Sequence, residues 1–456
     1  MDLVVCADIG STFTKTLLVS LDDAAVVAAA EHRTTIDTDV LDGFAACRRE
    51  LRRVAAGAAD APVRACSSAG GGLRVAVVGN EELVTAEAGR RVALSSGGRV
   101  VHVVDGGLDV GRLIALRATA PDVVLLVGGT DGGNTGVLLS AAAALAEAAW
   151  TGPVVLAGNA AAADEAGALL VAGRVPYEVA DNVVPRIGVL APDSARARIR
   201  AAFLRHVIGG KHLSASPAFV DMVVGPTPDV VLNAATVLGD QVGDIALVDV
   251  GGATTDVYSV VELDPEDSST GLARQVVAPT RVTRSVEGDL GVRWSASPTV
   301  EQGLAAGVVR PEEHAGLAAA ADDLTASPEL VSSTSAGSAV DHRLVEIATG
   351  VALRRHAGRQ RVVLGRDGRV VERTGRDLRE VGLLVGSGGV LRHADPDTAV
   401  RLLRSGTGTD VPGGWLLPRA PRLVVDREYV LAAAGLLAPS HPQVAAALLG
   451  RHLLAC

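Results

Sequence analysis

Lysine is nearly absent from this chain: Lys15 and Lys211 are its only two, and arginine supplies the remaining strongly basic side chains. Arginine and lysine exchange at many surface sites, so the scarcity reads as compositional bias, and a lysine kept at position 15 is a mild pointer to function. Basic charge is also outnumbered, 42 Lys and Arg against 52 Asp and Glu for a formal net charge of -10, which argues against nucleic-acid binding as the main activity. No apolar run reaches the roughly 20 residues that span a bilayer, so no membrane segment is expected. The chain enters Leu3-Val4-Val5-Cys6-Ala7 with no basic segment or cleavage-like region ahead of it, and a cytoplasmic location is the expectation. Cys6, Cys47, Cys66 and Cys456 include no Cys-x-x-Cys pair, so neither zinc nor iron–sulfur binding is indicated. The histidines, His102, His206, His212, His342 and His393 among them, show no ligand spacing. Also missing are a Gly-x-Ser-x-Gly elbow, a P-loop and a well-placed Gly-x-Gly-x-x-Gly.

What is present is a chain of 456 residues, 48% apolar and 21% charged, long enough for two or more globular domains. Two similar segments stand out, Asp8-Ile9-Gly10-Ser11-Thr12-Phe13-Thr14-Lys15 and Asp249-Val250-Gly251-Gly252-Ala253-Thr254-Thr255-Asp256. Each follows a short apolar strand and leads into another, a strand–turn–strand unit. Between them, from about residue 82 to 210, apolar strands at Val100–Val104, Val123–Val127, Val154–Ala157 and Tyr177–Ala180 alternate with helix-compatible stretches. That alternation predicts an inserted doubly wound α/β subdomain. Its strand ends carry Gly128-Gly129-Thr130-Asp131-Gly132-Gly133-Asn134, where Asp131 and Asn134 suit either a small ligand or metal or an Asx turn. A small-residue helix is expected at about 229–239, helices at 301–324 and 341–357, a polar loop at Asp264–Gly271, and a closing helix at Asp426–Leu437. The domains then run 1–81, 82–210, 211–244 as a connecting region, and 245–456.

In the first hairpin Asp8 suits a Mg²⁺ ion held through water, while the amides of Gly10, Ser11 and Thr12 and the Lys15 ammonium suit phosphate oxygens. The bland alternative is an ordinary tight turn. In the second, Asp249 suits a metal or its water, Gly251, Gly252, Thr254 and Thr255 suit phosphate, and Asp256 either orients an attacking water or fixes the loop. Gly386-Ser387-Gly388-Gly389, after an apolar strand, offers glycines that leave room for an adenosine, or a plain strand-to-helix turn. Asp8, Asp249 and Asp256 are therefore the candidate catalytic residues, with Asp8 and Asp249 as metal ligands.

The ordered set of hairpin, small-residue helix, hairpin, glycine turn and small-residue helix resembles the actin/Hsp70/sugar-kinase ATPase superfamily. The resemblance implies two ribonuclease-H-like lobes that close over Mg-ATP, with the inserted α/β subdomain added. A narrower resemblance is to the MutL/GlmL family of glutamate mutase accessory proteins, unrelated to the mismatch-repair protein that shares the first name. It is carried by Asp8–Thr12, Cys66–Leu73, Gly128–Asn134, Val286-Glu287-Gly288-Asp289-Leu290-Gly291 and Asp426–Leu437. It implies an adenosylcobalamin-dependent mutase or aminomutase as partner, a chaperone-like reactivation role, and slow ATP turnover. A small-molecule kinase of the same superfamily and a nucleotide-dependent scaffold without turnover are the competing readings.

Overall fold

In a computed structural model the described residues are 2–69, 72–208, 213–214, 216–263, 280–330, 334–365, 368–409 and 411–455. The expected polar loop at Asp264–Gly271 lies outside them, as do Gly70, Gly71, Lys211, His212 and Cys456. The chain divides into two compact units, one built mainly from Met1–Asp22 and Val26–Leu232, the other mainly from Asn233–Ala273 and Arg281–Cys456.

The first unit holds two sheets. Strands β1 (Leu3–Ile9), β2 (Phe13–Ser20), β3 (Ala25–Arg33) and β4 (Val63–Ser67) join one sheet, and β5 (Leu73–Val78), β6 (Gly98–Val104), β7 (Val123–Leu126), β8 (Val154–Leu156) and β9 (Tyr177–Val179) form the other. Strand β10 (Val223–Pro226) then returns to the first, giving the order β10-β4-β1-β2-β3. In that sheet β1 and β2 are antiparallel, whereas β1 with β4 and β4 with β10 are parallel.

The second sheet of this unit, β6-β5-β7-β8-β9, is parallel throughout. It is doubly wound, because successive residues of its central strands serve opposite faces. Val75, Val77, Val123 and Leu125 share a core with Val92 and Ile199 of the helices Glu87–Ser95 and Asp193–Ala202. Ala76, Val78, Val124 and Leu126 pack on the other side with Leu116, Leu138, Leu145 and Leu170. The first of these cores also takes in Val5, Ile9 and Leu18 of the first sheet, so the inserted sheet and its host share one apolar interior. Its first strand, β5, lies ahead of residue 82, and so ahead of the expected start of the insertion.

The second unit repeats the first sheet's plan. Strands β11 (Ile245–Val250), β12 (Thr255–Val260), β13 (Val282–Glu287), β14 (Arg359–Gly365), β15 (Gly368–Thr374), β16 (Leu383–Ser387) and β17 (Arg422–Val425) include a sheet ordered β13-β12-β11-β16-β17. Here too the first hairpin is antiparallel and the added strands are parallel. Counted from the start of each sheet, both orders read 3-2-1-4-5, the ribonuclease-H-like topology expected twice, and the fold is mixed α/β. The central strands β11 and β16 are apolar and buried almost throughout, as strands covered on both faces must be.

Two differences from expectation have local causes. The helix expected over 301–324 is two, Ala296–Ala305 and Pro311–Ala326, because Gly307 takes a left-handed φ of 68° and Pro311 occupies the first turn of the second helix. The ribbon β14–β15, a separate two-stranded sheet, has no counterpart in the sequence reading. The closing helix runs Val430–Leu437 with all eight residues buried, and Asp426 precedes it as a cap.

Candidate functional site

The two glycine hairpins are built alike. Asp8 pairs in register with Lys15 across β1 and β2, and Asp249 with Asp256 across β11 and β12, so Lys15 and Asp256 occupy equivalent positions. In each turn the glycine amide donates to the carbonyl three residues on, Gly10 N to Phe13 O at 3.1 Å and Gly251 N to Thr254 O at 2.9 Å. A Cβ on Gly10 would stand 2.8 Å from Phe13 O, and one on Gly251 3.0 Å from Thr254 O. The turn itself therefore demands glycine at position 10 and crowds a side chain at position 251, independently of any ligand.

Each turn is tied back by its carbonyls to a neighbouring segment. In the first, Thr34 Oγ1 donates to Gly10 O at 2.8 Å and Thr34 N to Thr12 O at 2.9 Å. In the second, Val292 N donates to Gly251 O at 3.1 Å, Arg293 N to Gly252 O at 2.8 Å, and Ser295 Oγ to Ala253 O at 2.6 Å. In a trans peptide the carbonyl of one residue and the amide of the next point oppositely, and no peptide here is cis. The amides of Ser11 and Phe13, and of Gly252, Ala253 and Thr254, are thereby turned away from their supports, and they meet no acceptor among the described residues. Clustered outward amides form an anion-binding concavity, so the backbone of both hairpins fits a phosphate.

The segment Glu287–Gly291 acts as a splint for the second hairpin. Gly291 lies so close to it that a Cβ would stand 2.6 Å from Gly252 O. Thr255 Oγ1 donates to Leu290 O at 3.0 Å, and Ser295 Oγ also reaches Gly288 O at 3.2 Å. The acidic pair of the motif is held by Arg355, whose Nη1 lies 2.7 Å from both Glu287 Oε2 and Asp289 Oδ1. Burial pushes the Glu287 carboxyl up in pKa, and Arg355 opposes that push.

The carboxylates differ in how far they are engaged. Asp8 Oδ1 accepts from Thr227 Oγ1 at 2.6 Å and from Cys66 Sγ at 3.6 Å. Burial and the nearby Asp8 charge push the Cys66 thiol well above its ordinary pKa, so it stays a donor. Asp256 is held by the buried guanidinium of Arg284, with Nε at 3.0 Å and Nη2 at 2.5 Å from Oδ1, and its Oδ2 accepts from Thr254 Oγ1 at 3.3 Å. Those contacts tie Asp256 to its own turn and to β13. Asp249, half-buried, stands directly opposite it in the ladder and pairs with Ser387 across β16. Among the described residues no three His, Cys, Asp or Glu side chains cluster as a metal site. A Mg²⁺ ion that keeps most of its waters needs only one or two carboxylates, so Asp8 and Asp249 are each chemically suited to such an ion within its own unit.

At Gly386–Gly389 much of the expected room is filled by the chain itself. A Cβ on Gly386 would lie 2.6 Å from Leu403 and one on Gly388 2.2 Å from Val250 O, whereas Gly389 alone has open space. Ser387 is buried. Asp426, also buried, closes this end of the sheet by accepting from Val430 N at 2.9 Å and Leu431 N at 3.0 Å. Thr34, Thr227, Arg284 and Ser295 are the supporting residues that the sequence reading missed. Only Thr227, at the start of its helix after Pro226, carried even a local signal.

A family model described as MutL protein matches residues 4–453. Protein MutL of Clostridium tetanomorphum is 32% identical over 467 aligned positions, which take in 100% of both chains. Among solved structures, component A of (R)-2-hydroxyglutaryl-CoA dehydratase from Acidaminococcus fermentans aligns at 10% identity and a TM-score of 0.31 over 98% of this chain and 100% of that one. Gluconate kinase from Lactobacillus acidophilus aligns at 10% identity and a TM-score of 0.35 over 99% and 92%. Likenesses that low carry no weight, and the fold rests on the sheet orders themselves. No helix among the described residues is long and apolar enough to cross a membrane.

Proposed function

The chain belongs to the MutL protein family, and from that premise we propose that it is an Mg-ATP-dependent accessory protein that reactivates an adenosylcobalamin-dependent mutase of the glutamate mutase type. The observation that carries the nucleotide part of this reading is the shared design of the two hairpins: carbonyls tied back, amides turned outward, and an aspartate at the end of the preceding strand. In this reading the amides of Ser11, Phe13 and Gly252–Thr254 receive phosphate oxygens, and Lys15 adds positive charge at the first hairpin. Asp8 at the first hairpin and Asp249 at the second are each suited to hold the waters of Mg²⁺, which when bound would neutralise phosphate charge. Thr227 and Cys66 orient Asp8, while Arg284 and the Glu287–Gly291 splint hold the second hairpin in shape.

The partner part rests on family membership over the whole chain. A mutase that retains damaged cobalamin must be opened to exchange it, and a nucleotide-driven protein can do this only through different affinities for two partner conformations. The test is ATP turnover measured with and without purified glutamate mutase. Turnover that rises with the mutase and is lost in Asp249→Ala supports the reading. Rapid ATP use driven by a small metabolite alone identifies a kinase instead, and ATP binding without turnover in either condition identifies a scaffold.

A further inference from the structure

The helix Thr227–Val242 begins beside Asp8 and is gripped at the same end by the inserted subdomain. Asp8, Cys66 and Gly225 stand in one row across β1, β4 and β10, and the chain leaves β10 through Pro226 into the helix. Its first residue, Thr227, reaches across the end of β4 to donate to Asp8 Oδ1 at 2.6 Å. Cys66 Sγ donates to the same oxygen, so among the described residues Oδ2 is the oxygen left for a water of Mg²⁺.

Two residues on, Asp229 lies in the first turn of the helix and is 1% exposed. Both of its oxygens are taken by arginines one turn apart on the helix Asp193–Ala202. Arg196 Nη2 lies 3.1 Å from Oδ1, and Arg200 donates to Oδ2 through Nε at 2.8 Å and Nη2 at 2.5 Å. The Arg200 stem runs along β10, where a Cβ on Gly225 would stand 3.5 Å from Arg200 Cδ. The inserted subdomain meets the turn a second time at Gly97, where a Cβ would lie 2.7 Å from Pro226 Cγ and 2.9 Å from Asp229 N. All of these residues belong to the first unit. Buried ion pairs often add little net stability over apolar side chains of the same volume, whereas a carboxylate forked by a guanidinium fixes distance and angle together.

We infer that Asp229, Arg196 and Arg200 form a positioning clamp for the carboxylate of the first hairpin. The inserted subdomain holds the first turn of the helix, the turn holds the Thr227 hydroxyl, and the hydroxyl holds Asp8 by Oδ1. Thr227 and Asp229 share one helical turn, so neither moves without the other. A shift of about 1 Å at that turn stretches the 2.6 Å hydrogen bond past the distance at which it holds. The inserted subdomain thereby becomes part of the ion site, and by linkage an ion bound at Asp8 is felt at the helix Asp193–Ala202. The inference rests on the nucleotide part of the proposed function and names the residues that set its dependence on Mg²⁺.

The experiment measures ATP affinity of the full chain by isothermal calorimetry, once in excess Mg²⁺ and once in EDTA, and reads the ratio of the two. Thr227→Val, which removes only the hydroxyl, lowers the ratio about tenfold, the usual worth of a hydrogen bond to a charged group. Arg200→Met lowers it about fivefold, the low end of a coupling between sites. The double variant falls no further than Thr227→Val alone, because both changes act through one hydroxyl. Affinity in EDTA stays within about twofold throughout, since the outward amides of the hairpins are untouched. Arg91→Met, which breaks an ion pair with Glu87 elsewhere in the same subdomain, leaves the ratio as it was. Should Arg200→Met melt early, Arg200→Lys, which keeps the charge and loses the fork, takes its place in the same cycle. An unchanged ratio in either single variant, a double variant that multiplies the two losses, or an equal fall in Arg91→Met overturns the inference and leaves the proposed function standing. A wild-type chain that binds no ATP, or binds it equally with and without Mg²⁺, overturns the nucleotide part of the proposed function and the inference with it.

Discussion

Replacing Arg284 by methionine removes the counter-charge of Asp256 from the interior of the second unit. Arg284 is 4% and Asp256 8% exposed, and the side chains meet through two hydrogen bonds, so neither charge has ready access to water. Removing one partner of a buried ion pair costs about 3–5 kcal/mol, because the remaining charge stays unpaired. Tyr258, fully buried with the Arg284 guanidinium over its ring at 5.7 Å, loses that contact as well. With a urea dependence of roughly 3 kcal/mol per molar, the unfolding midpoint of this unit falls by about 1–2 M. The assay is a urea melt followed by tryptophan fluorescence in a Trp150→Phe background, which leaves Trp294 and Trp415, both in the second unit, as reporters. The double variant Arg284→Met/Asp256→Leu, with neither charge, recovers most of the loss, since uncharged groups of similar volume replace buried pairs at little cost. A midpoint shift of Arg284→Met below about 0.3 M, or a double variant no more stable than the single, refutes the claim that the pair holds the hairpin through its charges.

Gly291→Ala forces a methyl against Gly252 O and displaces the splint, so ATP affinity falls at least about tenfold while the first unit keeps its stability, measured by isothermal calorimetry and a melt of Trp150 fluorescence. Asp426→Ala leaves two helix-terminal amides without their acceptor, and the second unit loses about 2 kcal/mol in a urea melt. His356, buried with Nε2 2.8 Å from Ser259 Oγ and Nδ1 2.9 Å from Ser285 Oγ, has its pKa lowered to about 3 by burial and then by Arg376. Because the folded pKa lies below the unfolded value, the folded state declines a proton that the unfolded state accepts. The stability this confers is complete above about pH 6.5 and is lost towards pH 3 at about 1.4 kcal/mol per unit. Urea melts between pH 7 and 5 show a mean slope shallower by about 1 kcal/mol per pH unit in His356→Gln than in the wild type.

The hairpins were legible because a strand, a tight turn and a returning strand are written in consecutive residues, with Gly10 and Gly251 where the turn crowds its own carbonyl. The inserted sheet was legible for a similar reason, as apolar strands alternating with helices announce parallel β–α units. The start of that sheet was not, since β5 is a short apolar strand whose membership in one sheet or another depends on its neighbours. The split at Gly307 and Pro311 had a local signal that the helical composition around it outweighed. The ribbon β14–β15 is rich in arginine and exposes Val362 and Val371, so it lacks the buried alternation by which strands are read.

Taken alone, the sequence determined that the chain carries two glycine turns between paired strands, in a family-specific order, because turn chemistry and strand periodicity are local properties of the backbone. Only the tertiary structure decided what supports those turns. Thr34 reaches Gly10 from 24 residues away, Arg284 reaches Asp256 from 28, and Ser295 reaches Ala253 from 42. Such partners are fixed by sheet order and register, which no stretch of residues specifies by itself. The same holds for Gly386 and Gly388, whose space is taken by Leu403 and Val250, and for buried Asn159, whose side chain is hydrogen-bonded within the protein. A glycine or an aspartate in a motif shows that something must come close; the packed fold decides whether that something is a ligand or the protein's own chain.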